Sequence, residues 1–267
     1  MNSNTATQAK TRLGLYCAGG LALLLGAGIG LMALGSSLGV WFGWWDFRRG
    51  FELLRQANDY AKWTVWICLA LTVIVAAAGK LLMNSQLALR AAALALAGTL
   101  ASAIAYYYPQ SFGAPAGEFY PPIHDISTDI ENPPQYVDVL PLRANAPNST
   151  EYGNSPRMTA AELGRLTREA YPDLQPLRLS ASPEQVYDRA LQAVDTLGWE
   201  LVAAVPEDGR IEATDTTFWF RFKDDVIIKI SREDSATVVN ARSLSRVGGG
   251  DVGTNAKRLR RLFALLQ

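Results

Sequence analysis

The sequence predicts a membrane segment of three α-helices joined to a soluble α+β domain. The domain is read as an antiparallel sheet of four to five strands with helices on one face. Three observations predict this. The first is charge: 25 Lys+Arg against 25 Asp+Glu sum to zero, but residues 1–107 carry eight basic and three acidic side chains while residues 108–267 carry 17 and 22. The second is that every long apolar run lies in the first part. The third is that beyond about residue 158 apolar residues recur first at helical spacing and then in short β-rich runs. The expected organisation is a transmembrane segment over 1–107, a Pro-rich connector over 108–157 packed on the domain, and the domain proper over 158–267.

The spans are expected at about 13–34, 63–83 and 87–107. Each is close to the ~20 residues a helix needs to cross the hydrocarbon core. The first run is uncharged and rich in Leu, Ala and Gly. It is too long for a signal peptide, lacks a small-x-small cleavage site, and is followed by two more spans. Lys80 and Arg90 lie near the ends of the second and third spans, where long side chains can reach water. Trp41, Trp44, Trp45, Trp63 and Trp66 bracket the loop between spans one and two, and Tyr106, Tyr107 and Tyr108 end span three, as in an interfacial aromatic belt. Between the tryptophans, DFRRGFELLRQANDYAKW places Phe47, Phe51 and Leu54 at helical spacing. This suits either a short helix lying on the membrane surface or an ordinary polar loop. GAGIG in span one has the glycines of a dinucleotide fingerprint but sits mid-helix rather than after a strand. Gly26 and Gly30 are instead read as a GxxxG packing face.

Three spans put the termini on opposite sides. Lys10, Arg12, Lys80 and Arg90 stand against Arg48, Arg49, Arg55 and Lys62, a tie of four to four by the positive-inside rule. The short turn MNSQ with its flanking cations reads as cytoplasmic. The expected placement is therefore multi-pass in a bacterial inner membrane, with the lipid bilayer as a partner and the C-terminal domain periplasmic.

In the connector, Pro and Gly block regular structure, while Ile123, Ile126, Ile130, Tyr136, Val137 and Val139 offer apolar anchors. Thr159–Ala170 reads as a short helix and Leu177–Leu179 as an edge strand. Ser182, Pro183 and Gln185 form a capping box, and the helix they open stops at Gly198. Four strands are expected: Trp199–Val205 ending in the turn PEDG, Arg210–Phe220, Val226–Ser231 after an Asp224-Asp225 turn, and Ala236–Ser243. A Gly-rich loop then leads to a final helix, Asn255–Leu266. The order is β-α-β-β-β-β-α, a helix-grip-like arrangement.

Composition excludes several functions. An acidic domain argues against nucleic acid, whose phosphates need a basic excess. Both cysteines, Cys17 and Cys68, lie in apolar runs, so the domain has no disulfide, thiolate nucleophile or Cys-ligated zinc. His124 is the single imidazole, so one chain cannot assemble HExxH or a multi-His cage. No metal, no cofactor and no catalytic set is expected.

Three stretches, PPIHDISTDIENPP, RIEATDTTFWFRFKDDVIIKI and ARSLSRVGGGDVGTNAKRLRRL, resemble the blocks of the bacterial family called domain of unknown function 1499, over about 117–267. The resemblance implies membrane-anchored or exported proteins and no established activity. The polar residues in these blocks include His124, Asp125, Asp129, Asp215, Thr216, Arg242, Arg246, Asn255 and Arg258. They allow three readings. A hydrolase would use His124 as base with a Ser or Thr nucleophile, yet there is no GxSxG elbow or SxxK pair. A lipid or small anionic ligand could bind at Gly248, Gly249 and Gly250 before the last helix, helped by Arg242, Arg246, Asn255 and Arg258. Against this, Asp251 looks like a cap, and an Arg–Asp network tying the connector to the sheet would explain the same residues. The third reading, an envelope scaffold or protein-interaction module, requires no catalytic constellation and is the one adopted.

Overall fold

The computed structural model describes residues 3–82, 86–113, 119–154 and 158–267. It divides into two compact units, Met1–Pro115 and Ala116–Gln267. The turn MNSQ falls largely on residues 83–85, outside the described residues, as do 114–118 and 155–157 of the connector.

The first unit is a bundle of α1 (Ser3–Trp41), α2 (Phe47–Leu82) and α3 (Gln86–Gln110), all long and apolar enough to cross a membrane. Small residues set the α1–α3 contact. A Cβ on Gly26 would overlap the Gly98 carbonyl, and one on Gly98 the Ala22 carbonyl, whereas a Cβ on Gly20 or Gly28 would meet nothing. Close approach at small residues is how helices associate where lipid is as apolar as leucine. Polar side chains inside the bundle are satisfied from within. Asn58 donates to the carbonyls of Ala105 and Tyr106 at 3.3 and 2.7 Å, and the Thr72 and Thr99 hydroxyls lie 3.0 Å apart. Ser102 donates to the Gly98 carbonyl at 2.8 Å.

The stretch between spans one and two is neither a separate surface helix nor a loop. It is the first half of α2, and the connection shrinks to residues 42–46. Asp46 caps α2, accepting from the Arg49 amide at 2.9 Å. No proline interrupts α2, and Ala57, Ala61, Val65, Cys68 and Val75 form one continuous buried stripe along it. The Phe47/Phe51/Leu54 spacing is real, but it belongs to a 36-residue helix. At ~1.5 Å per residue it is ~54 Å long, well beyond the ~30 Å hydrocarbon core. Its charged half therefore extends past the membrane interior.

The second unit has the expected α+β fold class, with one more strand than the upper expectation. Its strands are β1 (Asp125–Ser127), β2 (Leu177–Leu179), β3 (Glu200–Val205), β4 (Arg210–Thr216), β5 (Lys223–Glu233) and β6 (Ala236–Ser245). All pairs are antiparallel in the order β1-β6-β5-β4-β3. β1 and β2 pair with different stretches of β6, around Ser243 and Val238, so the sheet is five strands wide. The added strand lies in the Pro-rich connector. Three residues suffice there because β6 presents an edge to pair with.

Two strand boundaries differ from expectation by three residues or more. β4 ends at Thr216, because Thr217–Phe222 closes into a loop: the Thr217 amide donates to the Phe222 carbonyl and the Phe222 amide to the Thr217 hydroxyl. Asp224 and Asp225 form no turn. They are residues of β5, 4% and 0% exposed. Aspartate disfavours strands when solvated, but here arginines neutralise both.

Helices α4 (Ala160–Ala170), α5 (Pro183–Thr196) and α6 (Thr254–Leu266) complete the unit. Both halves of the Ser182/Gln185 capping box are present. Ile211, Ala213, Val226, Ile228, Ile230, Val239 and Ala241 on one sheet face pack with Val186, Ala190 and Val194 of α5 and Leu259, Leu262 and Leu266 of α6 in one buried core. An antiparallel sheet commonly leaves its other face to water. Here the connector covers it: Tyr136 and Val139 cluster with Ile227 and Leu244.

Candidate functional site

The period of two along a strand sorts the polar residues onto opposite faces. Register places Glu212, Thr214, Asp225 and Arg242 on the connector face, and Asp215, Asp224 and Ser243 on the helix face.

On the connector face, residues 134–148 form a strap pinned by buried ions. The Arg242 guanidinium, 0% exposed, donates to both Asp125 carboxylate oxygens at 2.8 Å and to the carbonyls of Pro134 and Thr150 at 3.1 and 2.7 Å. It lies between the rings of Tyr136 and Tyr152, 5.1 and 5.3 Å from their centroids. Burial works against its charge, but Asp125 outweighs it and holds the guanidinium more firmly protonated than usual. The same burial pushes the Tyr152 phenol up to about 12. Asp225 receives Arg143 at 2.5 Å, Arg246 at 2.8 and 2.9 Å and the Thr214 hydroxyl at 2.7 Å. Glu212 accepts the amides of Val137 and Val139, both at 2.9 Å, and the guanidinium of Arg210, which also meets Asp138.

On the helix face, Arg258 is 0% exposed and donates to Asp215 at 2.8 Å and Asp224 at 2.7 Å. Asn255 donates to the His124 carbonyl and the Ser245 hydroxyl and accepts from the Ser243 hydroxyl at 2.6 Å. Asp251 caps α6 by accepting the amides of Gly253 and Asn255 at 2.8 and 2.9 Å. Burial raises its pKa, and those amides oppose the shift.

The residues expected to gather around an anion are thus divided. Arg242 and Arg246 lie on one side of the sheet, Asn255 and Arg258 on the other, and each is bound to internal acceptors. Gly248, Gly249 and Gly250 stand in the exposed loop between β6 and α6. Asp125 is the partner of Arg242, and Asp215 of Arg258. Asp129 accepts the amides of Glu131 and Asn132 in an Asx turn, and Thr216 ends β4 opposite Lys223. Sequence reasoning passed over Arg143, Arg210, Glu212 and the ion-pairing role of Asp224 and Asp225. The alternation in RIEATDT was the available signal, since it puts Arg210, Glu212 and Thr214 on one face.

Gly248 and Gly249 do meet His124 elsewhere, in a surface cleft of about 520 Å³. Ile123, Met158 and Leu163 supply apolar lining, and Asn148, Glu151 and Asn154 supply polar lining. His124 lines the cleft, and its Nδ1 is buried without a hydrogen-bond partner. Its carbonyl accepts from Ser245 and Asn255, which fixes the backbone at this point.

The strap should depend on pH. Burial opposes the Asp225 charge, but Arg246, Thr214 and Arg143 prevail and hold its pKa below the ordinary value. A depressed native pKa contributes stability above the unfolded value, ~3.9, and that contribution is lost as pH falls through the native value. Hydrogen exchange across 134–148 should therefore stay slow at pH 7 and rise, relative to α5, below about pH 4. Asp225→Asn should remove that acid step. An unchanged step in the variant would assign it to another carboxylate.

The family described as "Protein of unknown function (DUF1499)" matches residues 125–266. No curated protein and no solved structure matches the chain.

Proposed function

From the premise that this chain belongs to the DUF1499 family of unknown function and is anchored by three apolar helices, we propose that it is an envelope scaffold, a membrane-anchored interaction module. In this reading the α+β unit stands on the extracytoplasmic side of a bacterial inner membrane and binds a membrane or envelope protein. The observation that carries the reading is the strap. Its inward residues Tyr136, Val139 and Arg143 are buried, while Val137, Leu140 and Leu142 are 50%, 43% and 53% exposed. Glu212 holds the backbone amides of Val137 and Val139, and Asp225 holds Arg143, beneath these aliphatics. Exposed aliphatic side chains close together on a pinned segment are a common mark of a protein-binding surface. For orientation, the support is the short turn between α2 and α3 with Lys80 and Arg90 at its flanks, which favours the cytoplasm and puts the α+β unit opposite.

A photo-crosslinking residue at Leu140 or Leu142 of the full chain, in native membranes, should capture one discrete partner. The same probe at Arg232, exposed on β5, should not. Leu140→Asp with Leu142→Asp should abolish capture while changing the stability of the unit by less than about 1 kcal/mol, as for solvated positions. Equal capture at Arg232 would exclude the strap as the interface. A C-terminal reporter active only in the cytoplasm would overturn the orientation.

A further inference from the structure

The loop between β4 and β5, Thr217–Phe222, is not used by the scaffold reading, yet it holds three phenylalanines and a tryptophan. Phe220 is buried. Phe218 is 66% exposed, and its ring meets that of Trp219 edge to face at 5.1 Å. The backbone holds it outward. The Thr217 amide donates to the Phe222 carbonyl, the Phe222 amide donates to the Thr217 hydroxyl, and Arg221 stands in the left-handed region at φ 54°. That conformation is costly for a residue with a Cβ and persists only where its surroundings impose it. Arg221 and Lys223, next along the chain, are exposed. Exposed rings with long cations beside them suit a bilayer surface, where aromatics sit at headgroup level and the cations reach phosphate.

Register shows which end of the sheet this is. Thr216 pairs with Lys223, Asp224 with Ser245, and Leu244 with Asp125, so the loop shares its end of the sheet with the start of β1. That is where the chain arrives from α3, across residues 111–124, which span about 50 Å at full extension. The β6–α6 loop comes to the same end, where the Asp251 amide donates to the Ile123 carbonyl and Val252 is 39% exposed in a left-handed conformation, φ 51°. A chain held in the bilayer by three helices makes any second contact intramolecular, so a loop of weak intrinsic affinity is enough. Glu200, exposed at the start of β3, lies at this end as well. Selection for anionic lipid is therefore not implied: the rings supply the attraction, and every phospholipid offers a phosphate.

We propose that Thr217–Phe222 is a second membrane contact of this chain, with Phe218 and Trp219 seated in the headgroup region of a phospholipid bilayer. The contact goes beyond the scaffold reading, rests on different residues, and holds on either side of the membrane.

A fluorinated phenylalanine placed at position 218 of the full chain, in phosphatidylcholine nanodiscs, gives one ¹⁹F signal and leaves the ring and the loop's hydrogen bonds in place. Lipid carrying a nitroxide high on its acyl chain should broaden that signal more than a water-soluble nickel chelate does. The same label at Arg232, exposed and paired with Thr237 at the opposite end of the sheet, should show the reverse order. Stronger broadening by nickel at 218, or the same order at 218 and 232, would overturn the proposal. A 218 signal left sharp by both agents would also overturn it, by placing the ring against protein. Loss of partner crosslinking at Leu142 with lipid broadening at 218 intact would fail the scaffold reading alone.

Discussion

Arg242→Met is expected to destabilise the α+β unit by about 3–5 kcal/mol, the cost of leaving one member of a buried ion pair without its partner. The Asp125 side chain is only 6% exposed and receives both of its strong hydrogen bonds from Arg242. Without the guanidinium it must either stay charged in a dry site or take a proton. The carbonyls of Pro134 and Thr150 lose a donor at the same time, and the rings of Tyr136 and Tyr152 lose the cation between them. Arg242→Lys should recover little, because an ammonium cannot match the planar fork that binds a carboxylate twice. Asp125→Asn combined with Arg242→Met should recover part of the loss by removing the stranded charge. Pulse proteolysis of the full chain across a urea series would measure all three. A single variant as stable as the parent would mean that the pair contributes nothing to holding β1 on β6. Because domains are stable by only ~5–15 kcal/mol, the expected loss is a large fraction of the whole.

The second large effect is expected in the membrane unit. Gly98→Val should break the α1–α3 contact, while Gly28→Val should leave it intact. The added Cβ at Gly98 meets the Ala22 carbonyl and the Leu23 amide nitrogen, which are backbone and cannot rotate away; at Gly28 it meets nothing. Overpacking against side chains typically costs ~1–3 kcal/mol, and a backbone obstacle should exceed that. An adjacent contact between helices would be disturbed with it, since Cys68 Sγ of α2 lies 3.4 Å from the Ala22 carbonyl of α1. Thermal aggregation in mild detergent, followed by size-exclusion chromatography, should show Gly98→Val collapsing well below the parent and Gly28→Val matching it. Equal behaviour of the two variants would refute the contact.

Much of this architecture is legible in the chain, and for a common reason. Hydropathy, capping and turn chemistry act over a few residues. The apolar runs announce α1, α2 and α3. Ser182, Pro183 and Gln185 announce the start of α5, and Pro206-Glu207-Asp208-Gly209 announces the turn between β3 and β4, where Gly209 has φ 58°. Even Leu177–Leu179 is legible as a strand, because its flanks punctuate it. The misreadings share a different cause. Asp224 and Asp225 look like a turn because isolated aspartates avoid strands, and only Arg258, Arg143 and Arg246 reverse that preference. The amphipathic stretch after Asp46 looks like a surface element because its charges are local, whereas the buried alanines that extend it into α2 matter only against a neighbouring helix.

The candidate site shows the same division. His124, Gly248 and Gly249 stand out in the sequence as unusual residues, but the sequence holds no sign that they share a cleft. Likewise Arg242, Arg246, Asn255 and Arg258 look like one anion-binding set, and the sheet separates them onto two faces. The sequence by itself determined that three helices are apolar enough to span a membrane, that an acidic cysteine-free α+β domain follows, and where most elements begin and end. The tertiary structure alone decided which charges are buried, what covers the second face of the sheet, and which glycines are in backbone contact. Burying a charge is favourable only when its partner is in place, and the partner of Asp125 lies 117 residues away at Arg242. No local pattern carries that distance; the fold supplies it.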